Sequence, residues 1–257
     1  MKQYSIYHIP VMSFFSKDLY RDVALQWKGT GVAYLLLLLI ICCVPSIVRM
    51  YTGFADFVDN EAPKVVSQIP TISIVDGKAS IQEDQPYAII DPDTEKVIII
   101  IDTTGTITSL GETEALGLIT ETDATFKKNA IETRTFSFRD VQDFTLTQER
   151  ITRWLNVARK LVVPVLFPFI VLWFFAFRIV QVLVYAAIGL LFSSWFKSNM
   201  LYLTLIRLAV VAVTPCIIIK TVLGVLQVDI PVAGLWYFLI AIGYLFFAVR
   251  AVAEAGE

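Results

Sequence analysis

LVVPVLFPFIVLWFFAFRIVQVLVYAAIGLLF, residues Leu161 to Phe192, contains a single charged side chain, Arg178. About 20 helical residues cross a hydrocarbon core of roughly 30 Å. The stretch is longer than one crossing needs, so it tilts strongly, projects from the bilayer, or hides a break near Arg178. Three more apolar runs accompany it: Gly31 to Val48 before it, Met200 to Leu226 and Val232 to Val252 after it. Four spans are expected, five if the break exists. Composition agrees, since 56% hydrophobic residues in a 257-residue chain is too apolar for an ordinary soluble domain. The net charge of -2, without long single-sign runs, gives no reason to expect nucleic acid as a partner.

The expected fold is a membrane protein with an N-terminal anchor helix, a C-terminal helical bundle and a small α+β domain inserted between them. Residues 1–29 form a tail, 30–49 the first transmembrane helix, 50–159 a β-rich domain, and 160–257 the bundle with a short C-terminus. Gly31 to Val48 reads as an anchor: about 28 residues precede it and no small-x-small cleavage site follows. Cys42, Cys43 and Cys216 all lie in spans, so no disulfide framework is expected in the polar segment.

Orientation rests on basic residues. Lys17, Arg21 and Lys28 flank the first span, while Arg150, Arg153, Arg159 and Lys160 crowd the second from the other side. Counting alone gives a near tie, but the first helix usually dominates and long domains cross largely regardless of charge. Both termini are therefore expected in the cytoplasm and the middle domain outside, with Lys197 and Arg250 in agreement.

Before the anchor, Phe15, Leu19, Val23 and Trp27 recur every four residues, with Lys17, Arg21 and Lys28 gathered opposite. That pattern predicts an amphipathic basic helix lying in the headgroup plane, its cations near anionic lipid. The alternative is a first turn of the anchor with stop-transfer charges. Lys17, Arg21, Trp27 and Lys28 are the candidate membrane-surface contacts.

In the middle domain the period changes to two. Ile72 and Ile74, then Ala79 and Ile81, alternate around Asp76-Gly77-Lys78, which predicts a tight hairpin. Tyr87 to Ile90 and Lys96 to Ile101 flank a second turn containing Pro92, and Thr133 to Phe138 alternates again. Glu112 to Lys128 is weakly helical and left unassigned. A helix is expected from Thr145, with Gln148 completing a capping box, and runs toward the second span.

"IIIIDTTGTIT", Ile98 to Thr108, is close to the phosphorylation motif of P-type ATPases. A phosphoryl acceptor needs Mg²⁺ carboxylates and a cation for the phosphoryl oxygens. Thr103 stands where the motif has lysine, and no downstream acidic cluster of the required form is present. Ile98 to Ile101 then reads as a buried strand and Asp102 to Gly105 as a structural turn. His8, the sole histidine, lies in the tail, so His-based triads and His-rich metal sites are not expected in the middle domain. Glu112, Glu114, Glu121 and Asp123 read as a solvated face without Ca²⁺-loop spacing. No catalytic, cofactor-binding or metal residue is assigned.

Within the spans, Arg178, Gln181 and Tyr185 share one helical side, and Thr204, Arg207, Thr214 and Thr221 mark the third span. An antiparallel pair would set Tyr185 level with Arg207 and Arg178 level with Thr214. Either the arginines snorkel to headgroups, or Arg178, Gln181, Tyr185, Thr204 and Arg207 line a cationic cleft, open to the cytoplasmic leaflet, for an anionic lipid or a partner's carboxylate.

"SFFSKDLYRDVALQWKGTG" (Ser13 to Gly31), "IVDGK" (Ile74 to Lys78), "QPYAII" (Gln85 to Ile90) and "IIIDTTG" (Ile99 to Gly105) resemble the bacterial membrane family called domain of unknown function 1189. Some of its relatives are named for an association with maltodextrin use. The resemblance supplies no catalytic residues and implies that the DTTG segment belongs to a β-rich domain. The resulting expectation is a bacterial inner-membrane accessory or scaffold protein, binding lipid and a protein partner without turnover and without a cofactor. A small permease or transporter subunit, its substrate sugar-related, is the alternative, and a membrane-bound hydrolase the third reading.

Overall fold

The computed structural model describes residues 4–129 and 132–255, the side chain of Glu112 excepted. The chain divides into two compact units, one of Met1–Met50 with Val163–Glu257, the other Tyr51–Val162. Among the described residues four helices are long and apolar enough to cross a membrane.

The first unit is helical. A short helix α1 (Ile9–Met12) precedes α2 (Lys17–Gln26), whose N-terminus is capped by Ser16 Oγ accepting from Leu19 N at 3.2 Å. Then follow α3 (Val32–Asp56), which beyond Met50 belongs to the second unit and continues there through a π-helical stretch into α4 (Ala62–Val66), and α5 (Gln148–Trp195), which returns to the first unit from Val163. The third span is two helices, α6 (Tyr202–Ala212) and α7 (Thr214–Val225), and the last is α8 (Ala233–Ala253). Pro215 in the first turn of α7 removes a main-chain donor, which accounts for the interruption at Val213. The Thr214 hydroxyl at that break meets the Tyr34 hydroxyl of α3 at 3.2 Å.

Two expectations are corrected here. α5 is one unbroken helix of 48 residues, about 72 Å long, so the break near Arg178 and the fifth span do not exist. The apolar side of α2 is also not left to acyl chains. Leu19, Tyr20 and Val23 are fully buried and α2 packs against α6 and α8. Ala209, Ala212, Ala248 and Ala251 are buried in the same core, and such small residues let helices approach closely.

The second unit holds two sheets. β1 (Ile72–Val75) and β2 (Lys78–Ser80) form the expected hairpin, with Asp76 and Gly77 both at positive φ. The sequence predicts a helix from Thr145. That residue instead lies in a strand paired antiparallel to β1, and the helix begins after Thr147, whose hydroxyl caps Arg150 N. In the five-stranded sheet β3 (Tyr87–Ile90), β4 (Val97–Ile101), β5 (Gly117–Ile119), β6 (Asp123–Lys127) and β7 (Thr133–Ser137) lie in sequential order; only β4 and β5 are parallel. The last strand, β8 (Phe144–Leu146), pairs with β1 and completes the order β2-β1-β8 in the smaller sheet. The unassigned stretch Glu112 to Lys128 holds β5 and β6 joined by turns, and no α-helix. Ile72, Ile74, Ala79, Ile89 and Ile101 form one core drawn from both sheets.

Candidate functional site

A helix that carries a guanidinium through an apolar environment must give it a partner, water, or a route to headgroups, since the cost is about 2.5–3.5 kcal/mol at a span centre on insertion scales. Arg178 lies eighteen residues after Lys160 and nineteen before Lys197. At 1.5 Å per residue, about 25 Å of helix or more separates it from the nearest charge on α5 in either direction, beyond a side chain's reach. It donates to Gln181 Oε1, and Gln181 Nε2 donates to the Tyr185 hydroxyl at 2.8 Å. This neutral relay orients the guanidinium without balancing its charge. Tyr185 is itself buried and packs against Phe238 of α8.

Arg178 lines a groove of about 190 Å³ with Cys42 and Ser46 of α3 and Lys220 and Thr221 of α7. Leu39, Phe174 and Ile217 supply its apolar walls. Lys220 is a second cation in a span, five residues before the end of α7. No Asp or Glu occurs in residues 31–55, 161–228 or 230–253, so neither cation has a carboxylate on these segments. At the same end of α7, Arg49 of α3 donates to Gly224 O and Val225 O, each at 3.1 Å. Those carbonyls belong to the last turn, where the helix offers acceptors without partners.

The structure does not join all the residues expected in one cleft. Arg178, Gln181 and Tyr185 are connected, but Thr204 and Arg207 do not line the groove. Arg207 donates through Nε to Gly29 O at 2.6 Å, tying α6 to the segment between α2 and α3. Thr204 sits in the first turn of α6. The proposed surface cations also have protein partners. Lys17 Nζ pairs with Glu254 Oε2 at 2.8 Å, and Arg21 Nε donates to Ala251 O at 2.9 Å, so both engage the C-terminal end of α8. The Lys17 and Arg250 hydrogen bonds hold the Glu254 carboxyl below its ordinary range. Trp27 is buried edge-to-face with Tyr34, and Lys28, like Lys17, is exposed.

A family model described as a protein of unknown function, DUF1189, matches residues 10–249. The chain belongs to the DUF1189 family. No curated protein and no solved structure matches it.

The DTTG segment of this DUF1189 protein has a different architecture. Asp102 is fully buried at the end of β4. Its Oδ1 accepts from Thr104 N at 2.9 Å and Thr104 Oγ1 at 2.6 Å, and its Oδ2 accepts from Ile107 N. Burial opposes ionisation, but those donors and the Thr106 amide outweigh it and keep the carboxyl below its ordinary value. Gln85 Oε1 accepts from both the amide and hydroxyl of Thr103. The carboxylate therefore organises its own loop. Among the acids read as a solvated face, Glu121 pairs with Lys78 at 2.8 Å and Asp123 accepts from Thr122 Oγ1; the Glu112 side chain lies outside the described residues. The same unit offers an open groove of about 760 Å³ between α4 and the start of α5, lined by Gln148, Arg153, Asn156 and Lys160 among others.

Proposed function

We propose that this DUF1189 protein is a multi-pass accessory or scaffold protein of the bacterial cytoplasmic membrane. Both termini are cytoplasmic, the unit Tyr51–Val162 is extracytoplasmic, and partners are bound without turnover. What speaks against phosphoryl transfer at the DTTG segment is Asp102, whose two carboxylate oxygens are already occupied by donors of its own loop. The polar groove along α4 and α5 supplies a surface for a partner outside, and the bundle supplies one within the membrane.

A cysteine at Glu83, an exposed position, tests the placement. It should react with an impermeant thiol reagent in intact spheroplasts; reaction only after lysis would reverse the orientation. Gly77 is unsuitable for this purpose. Its φ is +76° and an added Cβ would stand 3.1 Å from both Arg139 Cα and Phe138 O. The permease reading is favoured by one observation, two cations lining a groove between span helices. Substrate-dependent flux across liposomes containing the purified protein would establish it over the accessory reading.

A further inference from the structure

We infer that the groove between α3, α5 and α7 is a binding site for one phosphate-class anion, the headgroup phosphate of an anionic phospholipid, with Arg178 and Lys220 as its ligands. Three features point to this chemistry. First, two cations line one groove, and the span segments that form it contain no acid. The relay through Gln181 fixes the Arg178 fork from one side and leaves further N–H groups for a ligand. A guanidinium fork matches phosphate oxygens bidentately, whereas the lysine acts as a point charge.

The second feature is size. At about 190 Å³ the groove is smaller than the 300–1,000 Å³ typical of small-molecule pockets. It suits a phosphate with its ester linkage and not a sugar ring with a full set of hydroxyl contacts. The third is its mixed lining. Ser46 and Thr221 bring hydroxyls, while Leu39, Phe174 and Ile217 form an apolar wall; Phe174 and Lys220 are exposed on the bundle surface. A phosphate attached to acyl chains satisfies both linings at once. Arg49 is a positioning residue here. By holding Gly224 O and Val225 O it joins α3 to the end of α7, and Gly224 and Ser46 belong to both the groove and the small cavity around Arg49.

The inference rests on the reading of the bundle as membrane-embedded, which co-flotation with liposomes tests by itself. A protein that floats yet holds no anion overturns the site and leaves the embedding intact. Full-length protein purified in mild detergent should retain close to one phosphorus per chain after washing, carried by anionic phospholipid in native mass spectra. After delipidation, short-chain phosphatidylglycerol should raise the thermal midpoint, with short-chain phosphatidylcholine at least tenfold weaker in concentration dependence. Inorganic phosphate separates the sources. If it matches phosphatidylglycerol on a molar basis, the anion is free phosphate and the lipid assignment fails. Arg178→Leu should weaken the phosphatidylglycerol response at least tenfold, Lys220→Gln about threefold, and Arg178→Lys by an intermediate factor. Arg207→Gln, outside the groove, should leave it unchanged. A double Arg178→Leu, Lys220→Leu protein that folds and retains as much lipid as wild type overturns the proposal. So does a wild-type protein whose groove cross-links instead to a partner's carboxylate.

Discussion

Asp102 and Arg178 place opposite charges in protein surroundings that disfavour charge, and the chain treats them differently. Asp102 has every donor it needs within five residues, from Thr104 and Ile107, and its carboxylate is completely enclosed. Arg178 has a neutral amide for a partner, on a helix face that also opens into a groove with a second cation. A charge whose hydrogen-bonding capacity is filled by its own loop contributes to the fold. A charge oriented by one neutral acceptor, with donors to spare, is suited to something that arrives from outside. The familiar-looking motif is thus the structural one, and the arginine within the span is the better candidate for function.

That contrast is most exposed to a pair of substitutions with opposite effects. Asp102→Ala strands buried donors and should destabilise the middle unit by about 3 kcal/mol, read as faster amide exchange at Thr104 and Ile107. Arg178→Leu replaces an unbalanced charge by an apolar group and should leave delipidated protein as stable or up to about 2 kcal/mol more stable. If Arg178→Leu is as damaging as Asp102→Ala, the arginine is structural and the contrast disappears.

Asp102→Asn is milder. One donor is left facing an amide NH₂, at a cost of about 1–3 kcal/mol, while lipid retention should be unchanged. The pH dependence has a definite sign. Because the folded carboxyl titrates below its ordinary value of about 3.9, its stabilisation is fully present above that pH and lost as pH falls through the folded value. Asp102→Asn should flatten the stability profile in that acid window; a wild-type profile already flat there would mean the hydrogen bonds do not favour the ionised form.

Gly105→Val sharpens the loop side further. Gly105 has φ +83° with open space around an added Cβ, so the expected loss, about 1–2 kcal/mol, is purely conformational. Gly105→Asn should recover part of it, since asparagine tolerates that region better. The smallest effect belongs to the basic tail. Replacing Lys17, Arg21 and Lys28 together by Gln should barely change binding to anionic vesicles, because Lys17 and Arg21 are engaged with α8. A large, salt-sensitive loss would return them to the membrane surface.

What the sequence made visible follows from what periodicity can carry. The β1–β2 and β3–β4 pairs were readable because alternation and turn residues coincide around Asp76-Gly77 and Pro92. β5 was not, being three residues long and set in a parallel pairing with β4. The unbroken α5 was obscured by its length and by Arg178. Lys220 does not stand out in the sequence, because a polar stripe through Thr204, Arg207, Thr214 and Thr221 holds only along a single helix. The interruption at Val213 resets the helical phase, and what α7 presents to α3 and α5 cannot be extrapolated from α6. Pro215 was the available signal. For α2, the buried alanines at 209, 212, 248 and 251 marked a protein-facing seam that the amphipathic pattern alone did not distinguish from a lipid-facing one.

The seat of α2 also sets a schedule for biogenesis. Its buried face, with Leu19, Tyr20 and Val23, is covered by α6 and α8, and α8 ends at Ala253. At about 5–20 residues per second, some ten to fifty seconds of synthesis separate α2 from the completed α8. Throughout that interval the nascent chain carries an unfinished docking face at its beginning, which the insertion machinery, the lipid surface or a chaperone must shelter. Truncation before α8 should therefore be sensed at α2, where protease sensitivity would report that its later partner had not arrived.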